Sequence, residues 1–428
     1  MTYNYNSTDP IKITLAELDD RKRFLLDTSQ RFCMLPWIHL HTAPDGDVYP
    51  CCHSMNIKPV GSARTHTLEQ VWNSDAQREL RSNMLAEQPS AACRRCYEQE
   101  ESGFFSGRKS ANKHFGHYIH KIDSTLEDGT QPEFAMTYWD IRFSNLCNLR
   151  CRSCGHIFSS QWYQDQARLA GPQWKSNNKP LIYAGRTETD MWEQLLPHLD
   201  YVEQIYFAGG EPMLMEEHYN ILEELIARGR TDVRLIYNSN FTHTDLKGRS
   251  VFEYWRQFSQ VAVGASLDGQ GRPAEYIRKG TVWADVVANR LAMLATCPGV
   301  DFYVSPTLSI LNAWHLPDFH REWVAAGLIR PSDLNVNILQ DPQHYRIDIA
   351  PAEYKARLTD KYEQHLNWLK IVGDPLGRAT QGFESAISFM NATDNTHLID
   401  TFWRKTNELD SIRGENCLDI LPELKALK

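Results

Sequence analysis

At 428 residues the chain is longer than one hydrophobic core normally supports, so two or three compact units are expected. A hydrophobic share of 42%, an aromatic share of 11% and the lack of any biased tract exclude a disordered chain. A net charge of -9 argues against a general nucleic-acid binder, which draws on clustered Lys and Arg.

The first residues, MTYNYNSTDPIKITLAELDD, have no basic start followed by an apolar run, so a cytoplasmic protein is expected, with residues 1–30 as an N-terminal extension. No apolar run approaches the roughly 20 residues that cross a bilayer, and no membrane partner is expected. In a reducing compartment cysteines are better read as metal ligands or redox groups than as disulfides. Eight of the ten lie between Cys33 and Cys154.

Residues 31–110 read as a small, loop-rich domain of a kind that often needs a metal to hold it together. It has a turn at Pro44-Asp45-Gly46, a helix expected over Thr67 to Leu85, and Cys33, Cys51, Cys52, Cys93 and Cys96. His39 and His41 alternate, so both would share one face of a strand, as acid/base groups, cluster neighbours or packed core histidines. Arg108, Lys109 and Lys113 make a modest basic patch, read as a solvated linker rather than a phosphate site, with a linker over 111–137.

From 138 to 342 near-continuous apolar runs alternate with helical patterns, as in parallel strands covered on both faces. Strands are expected at Trp139 to Ser144, Val202 to Ala208, Val233 to Asn238, Val261 to Leu267, Phe302 to Thr307 and Leu334 to Leu339. Helices are expected at Glu216 to Arg228, Leu246 to Gln257, Trp283 to Ala295 and Pro317 to Ala326. The fold class is therefore α/β, and six units predict a partial (β/α)6 barrel rather than the eightfold one. Residues 343–428 form a helical C-terminal region, with apolar residues at three- and four-residue steps from Pro351.

Cys147-x3-Cys151-x2-Cys154 follows the first barrel strand, at the end where α/β barrels build active sites. Three thiolates in eight residues suit an iron-sulfur cluster with one iron left free of protein, or a zinc knuckle completed by His156. Trp162, Tyr163 and Trp174, further along, would line a substrate pocket or pack in the core. The lone Cys297 and Cys417 would return a hydrogen atom to a substrate radical or act as small buried hydrophobes.

The CxxxCxxC loop resembles the signature of the radical S-adenosylmethionine (radical SAM) superfamily. The resemblance implies a [4Fe-4S] cluster on Cys147, Cys151 and Cys154, with SAM chelating the open iron and cleaved by one electron to a 5'-deoxyadenosyl radical. Phe207-Ala-Gly-Gly-Glu-Pro212 resembles the family's GGEP motif, implying SAM contacts at Gly209, Gly210 and Glu211, with Glu211 accepting from the SAM ammonium. Asn238, Asn240 and Ser266-Leu-Asp-Gly269, with Asp268, stand where ribose contacts fall. Tyr276-Ile-Arg-Lys-Gly280 resembles the segment whose arginine, here Arg278, meets the SAM carboxylate. One departure is Ser153, where relatives carry an aromatic residue near adenine.

Cys33-x12-Gly46-x4-Cys51, followed by Cys93-x2-Cys96, resembles the auxiliary-cluster extensions called SPASM and twitch domains. That implies one auxiliary iron-sulfur cluster, expected to be [4Fe-4S], on Cys33, Cys51, Cys93 and Cys96, with Cys52 the alternative to Cys51. A structural zinc site uses the same thiolates. In most relatives this extension follows the barrel, whereas here it precedes it. The expected function is hydrogen abstraction from a substrate C-H bond to crosslink, epimerise or oxidise a peptide or protein. The alternatives are a radical SAM dehydrogenase or epimerase of a sugar or antibiotic precursor, and a non-catalytic iron-sulfur or zinc scaffold. The expected reductant is of flavodoxin or ferredoxin type.

Overall fold

A computed structural model describes residues 13–55, 57–101 and 105–428, so the first twelve residues of the N-terminal extension lie outside it. The chain is a mixed α/β protein with parallel strand pairing, and it divides into two compact units, each discontinuous in sequence. The first holds the residues up to Ser144, Tyr183–Gly209 and Asn220–Leu235. The second holds Asn145–Ile182, Gly210–Tyr219 and Ile236–Lys428.

In the first unit the N-terminal cysteine region is built onto barrel-type strands. Strand β1 (His39–Thr42) reaches the turn Ala43 to Gly46 and returns as β2 (Asp47–Tyr49), antiparallel to it. The turn closes through Gly46 N–H to Ala43 O (2.9 Å) and Ala43 N–H to Asp47 O (2.8 Å). Gly46 has φ +88°, and a Cβ there would stand 2.6 Å from the Ala184 carbonyl oxygen, so the turn requires glycine. On its other edge β1 runs parallel to β3 (Tyr138–Ile141), with His41 opposite Asp140, and β3 pairs in parallel with β4 (Gln204–Phe207). The strand order in this unit is β4-β3-β1-β2, closed by the short strand Gly61–Ser62.

The helix expected over Thr67 to Leu85 is two helices, Leu68–Trp72 and Asp75–Leu85. The first starts with a capping box between Thr67 and Gln70. It ends at Asn73, whose side-chain carbonyl accepts from Gln131 N–H (2.9 Å) and from Arg81 (3.0 Å). Those tertiary bonds outcompete helix continuation, as asparagine side chains readily do. Arg108 is buried rather than solvated, and residues 107–124 fold as the helix Gly107–Phe115 and a run of 3-10 turns.

The second unit contains β5 (Arg234–Ser239, most of which falls here), β6 (Val261–Ala265) and β7 (Asp301–Val304), in the order β7-β6-β5. β6 and β7 are parallel. The helices Trp283–Thr296 and Leu316–Ala325 fall where expected. Leu246 to Gln257 is not one helix: a hairpin of Asp245–Leu246 and Arg249–Ser250 precedes the helix Val251–Trp255. Lys247 and Gly248 both have positive φ (55° and 81°), the two-residue turn that suits a tight hairpin. Of Leu334 to Leu339 only Asn337–Ile338 pairs as a strand, with a bridge at Leu334. The C-terminal region is helical, with Ala352–Val372, Arg378–Ala392 and Ile399–Arg413 as its long members. Among the described residues no helix is long and apolar enough to cross a membrane.

Candidate metal centres

In the first unit Cys33 and Cys51 come from separate loops, while Cys93 and Cys96 come from a 3-10 turn running into the helix Arg94–Glu101. Cys33 and Cys96 are buried, and Cys51 and Cys93 half-buried. All six pairings of the four thiols lie within electrostatic reach. Burial, reinforced by the other thiols, raises Cys33 and Cys51 and pushes Cys93 up to about 12. A metal-free site therefore holds thiols, and loading it with iron releases protons.

Local structure brings the four together. Ser54 sits 3.4 Å from the Cys51 sulfur and donates to Ala92 O (2.9 Å), tying the Cys51 turn to the residue before Cys93. Asn112 accepts from Met34 N–H (2.9 Å) and donates to Phe32 O (3.1 Å), while Arg108 donates to Phe32 O (2.8 Å), so both neighbours of Cys33 are pinned. The N–H groups of Gly107 and Arg108, in the first turn of a nine-residue helix, point at the Cys96 sulfur. Among the described residues no three or more His, Cys, Asp or Glu side chains are gathered so as to hold a single metal ion. Four thiols within electrostatic reach of one another are the usual ligand set of an iron-sulfur cluster. Cys52 acts on the Cys51 thiol as its chain neighbour.

His39 and His41 share one strand face, as their alternation predicts, and both are buried. His39 Nδ1 bonds Tyr138 O (3.1 Å) with its ring stacked on Tyr138, and burial pushes it down to about 4. His41 Nδ1 lies 2.9 Å from Asp140, whose other oxygen pairs with Arg142 (3.0 Å).

In the second unit the loop from Cys147 to Cys154 is crossed by a two-residue ladder: Arg150–Cys151 runs antiparallel to Arg278–Lys279, with Arg278 opposite Cys151. Cys147 and Cys151 are buried and Cys154 is exposed. Cys147 is pushed up to about 12 by burial, and its sulfur accepts from Leu149 N–H (3.4 Å) and Asn240 Nδ2 (3.9 Å). Cys151 and Cys154 hydrogen-bond each other, and that bond with the nearby Arg278 guanidinium lowers the Cys151 thiol below the usual range despite burial. His156 is no fourth ligand here: its Nε2 bonds Lys179 O at 2.7 Å, with the ring packed on Trp174 and Tyr163.

Around this loop the structure gathers Glu211, Asn240, Asp268 and Arg278. Gly210 has φ +51°, and a Cβ on it would stand 2.3 Å from Leu146 O, so this glycine lets Glu211 N–H reach the same carbonyl (2.7 Å). Glu211 is buried. Its carboxylate accepts from Asn240 N–H (2.7 Å), Ser239 Oγ (2.8 Å) and Met213 N–H (3.3 Å), yet burial still raises it to about 7. Arg278 forks onto Asp268 through Nε (2.8 Å) and Nη2 (3.0 Å), leaving Nη1 3.7 Å from the Cys151 sulfur. The two groups expected to meet SAM separately are thus paired with each other.

The remaining expected residues lie apart from this group. Gly209 (φ +82°) packs over Arg142 in the first unit. Asn238 faces Gly264 on the neighbouring strand, and Ser266 N–H donates to Ser239 O (2.7 Å). Cys297 is buried beside Arg290 and Cys417 beside Tyr276, and burial pushes each thiol up to about 11. Trp162 and Tyr163 are buried and packed, with Trp162 Nε1 on Cys151 O (2.8 Å) and Tyr163 OH on Lys175 O (3.0 Å). The sequence reading missed Arg150, Arg152, Asp165, Asp410, Arg413 and Glu415, which surround the loop. The two arginines flanking Cys151 were the one visible sign of them.

The iron-sulfur cluster-binding domain called SPASM is the family model that matches, over residues 33–97, and the chain carries that domain there. No curated protein matches the chain. Among solved structures, the crystal structure of Streptococcus suis SuiB bound to S-adenosylmethionine matches with 11% identity over 78% of this chain and 68% of that one, at a TM-score of 0.33.

Proposed function

We propose that this protein is a radical SAM enzyme whose SPASM domain serves a second iron-sulfur cluster. The observation that carries the reading is the set of groups around the Cys147–Cys154 loop. Three thiols come with a buried carboxylate, an asparagine amide within reach of the Cys147 sulfur, and an arginine opposite Cys151. A structural scaffold gains nothing from a buried Glu211 carboxylate raised to about 7, whereas an ammonium ligand would complete its partners and favour its charged form.

In this reading Cys147, Cys151 and Cys154 hold a [4Fe-4S] cluster, Glu211 receives the SAM ammonium, and Arg278 faces the SAM carboxylate with the Nη1 that lies on the Cys151 side. Asp268 keeps the Arg278 fork in place and so orients it. Cluster and SAM together would supply, from one electron, a 5'-deoxyadenosyl radical that takes a hydrogen atom from a substrate C-H bond. Cys33, Cys51, Cys93 and Cys96, a complete set of four thiolates, would hold the auxiliary cluster that takes up the electron left on an oxidised substrate. We assign the substrate to the peptides and proteins on which SPASM and twitch enzymes mainly act, and the reductant to the flavodoxin or ferredoxin type, in the cytoplasm.

The test is anaerobic reconstitution, assay of iron and sulfide, and addition of dithionite and SAM. About eight irons per chain and formation of 5'-deoxyadenosine, abolished in Cys151→Ala, support the reading. Zinc-loaded protein that leaves SAM intact overturns it.

A further inference from the structure

Besides burying Cys147, Leu149 and Cys151, the Cys147–Cys154 loop is tied to residues 410–415 by two largely buried ionic rings. In the first, Arg150 pairs with Asp165 (3.0 Å), Asp165 pairs through its other oxygen with Arg413 Nε (2.9 Å), and Arg413 Nη2 donates back to the Arg150 carbonyl (2.8 Å). The Arg413 guanidinium also lies 5.0 Å from the centroid of Trp162, whose indole N–H holds the Cys151 carbonyl. In the second, Arg152 lies 3.6 Å over the Tyr276 ring and pairs with Asp410 and with Glu415 (2.9 Å). Asp410 also accepts from Tyr276 OH (2.9 Å) and Cys417 N–H (2.7 Å), and Glu415 pairs with Lys279 (2.9 Å) on the strand facing Cys151.

We propose that Asp410, Arg413 and Glu415 are positioning residues for the SAM-cluster loop, so that the end of the helix Ile399–Arg413 and the turn after it belong to the cluster site. The Arg152 side chain and the Arg150 carbonyl are held from some 260 positions away, while the Cys151 carbonyl is held by Trp162, against which Arg413 packs. Side-chain exposures of 0% for Arg413 and Arg152 and 1% for Asp165 make the partners of these three costly to remove, because a lost partner strands a buried charge. Four cations (Arg150, Arg152, Lys279, Arg413) face three anions (Asp165, Asp410, Glu415). Each guanidinium held beside the loop favours the more anionic, reduced state of a thiolate-bound cluster, so removing Arg413 disfavours it.

The experiment compares wild type with Arg413→Ala, Arg413→Lys and the milder Glu415→Gln. Hydrogen exchange on metal-free protein reads the loop directly, and the reconstituted protein gives the EPR g-values and midpoint potential of the reduced cluster. Exchange over 145–154 should rise about 10-fold or more in Arg413→Ala while 33–97 is unchanged. The potential should fall in Arg413→Ala and in Glu415→Gln the g-values should shift. Lysine should restore the potential better than the loop order, since it keeps the charge but not the fork. Arg404→Ala, at an exposed pair with Glu408 on the same helix, should change neither readout. Unchanged exchange in folded Arg413→Ala and Glu415→Gln, or equal loosening in Arg404→Ala, overturns the proposal. The exchange arm needs neither cluster nor SAM, so failure of SAM cleavage would leave it standing on its own.

Discussion

The two cysteine sites differ in how completely the chain surrounds them. In the SPASM domain four thiols from loops as far apart as Cys33 and Cys96 converge, and each is within reach of the other three. At the second site three thiols come from one eight-residue loop, and the positions around them are taken by a carboxylate, an amide and a guanidinium. A closed thiolate set suits a cluster that only stores or passes an electron, while an incomplete one beside polar groups suits a cluster that binds something. Both sites nevertheless fix a key cysteine by pinning its neighbours: Asn112 and Arg108 do so for Cys33, and the arginine rings do so for Cys151.

The sharpest way to break this contrast is to remove one thiol from each site. Cys151→Ala should abolish 5'-deoxyadenosine formation and lower iron from about eight to about four per chain. Cys93→Ala should lose the same amount of iron from the other domain, yet retain SAM cleavage while substrate oxidation stops. Iron assay with product chromatography distinguishes the two, and full substrate turnover in Cys93→Ala would remove the electron-accepting role from the SPASM cluster.

A smaller effect is expected from Glu211→Gln, which keeps the shape of the side chain and removes its charge. Iron content should be unchanged, and SAM affinity by equilibrium binding should fall roughly 10- to 100-fold, the range for a charged hydrogen bond. The same carboxylate sets a pH dependence. Its folded pKa, about 7, lies above the ordinary glutamate value of about 4.5, so the native state binds the extra proton. The stability this lends is present below pH 4.5 and is lost as pH rises through about 7. SAM binding runs the other way, strengthening as pH rises from 6 to 8 because the ammonium needs the charged carboxylate. A flat SAM affinity over that range would deny Glu211 its role.

Much of this was legible in the sequence, for identifiable reasons. Parallel strands buried on both faces leave long apolar runs, and metal-ligand spacings are local, so β3 to β7 and the cysteine loops could be read directly. Helix ends decided by tertiary bonds could not: Asn73 stops a helix because Gln131 and Arg81 reach it, and neither is near in sequence. The hairpin at Lys247-Gly248 was visible in principle, through glycine in a two-residue turn. The Arg278–Asp268 pair was hidden because both residues matched motif positions for other roles. The C-terminal ionic rings were hidden most completely, since buried charge pairs leave no periodic pattern in either partner's segment.

The smallest expected effect concerns the adjacent pair Cys51-Cys52. The spacing of four residues after Gly46 selects Cys51, whose thiol lies within electrostatic reach of Cys33, Cys93 and Cys96. Cys52→Ser should therefore leave iron content and the spectrum of the SPASM cluster unchanged within error, whereas Cys51→Ser should remove about four irons per chain. Serine is nearly isosteric with cysteine, so packing is preserved in both variants and the iron count reports ligation alone. If Cys52→Ser lost the iron and Cys51→Ser kept it, the turn at Gly46 would present the other sulfur, and the closed site would be built one residue further along the chain.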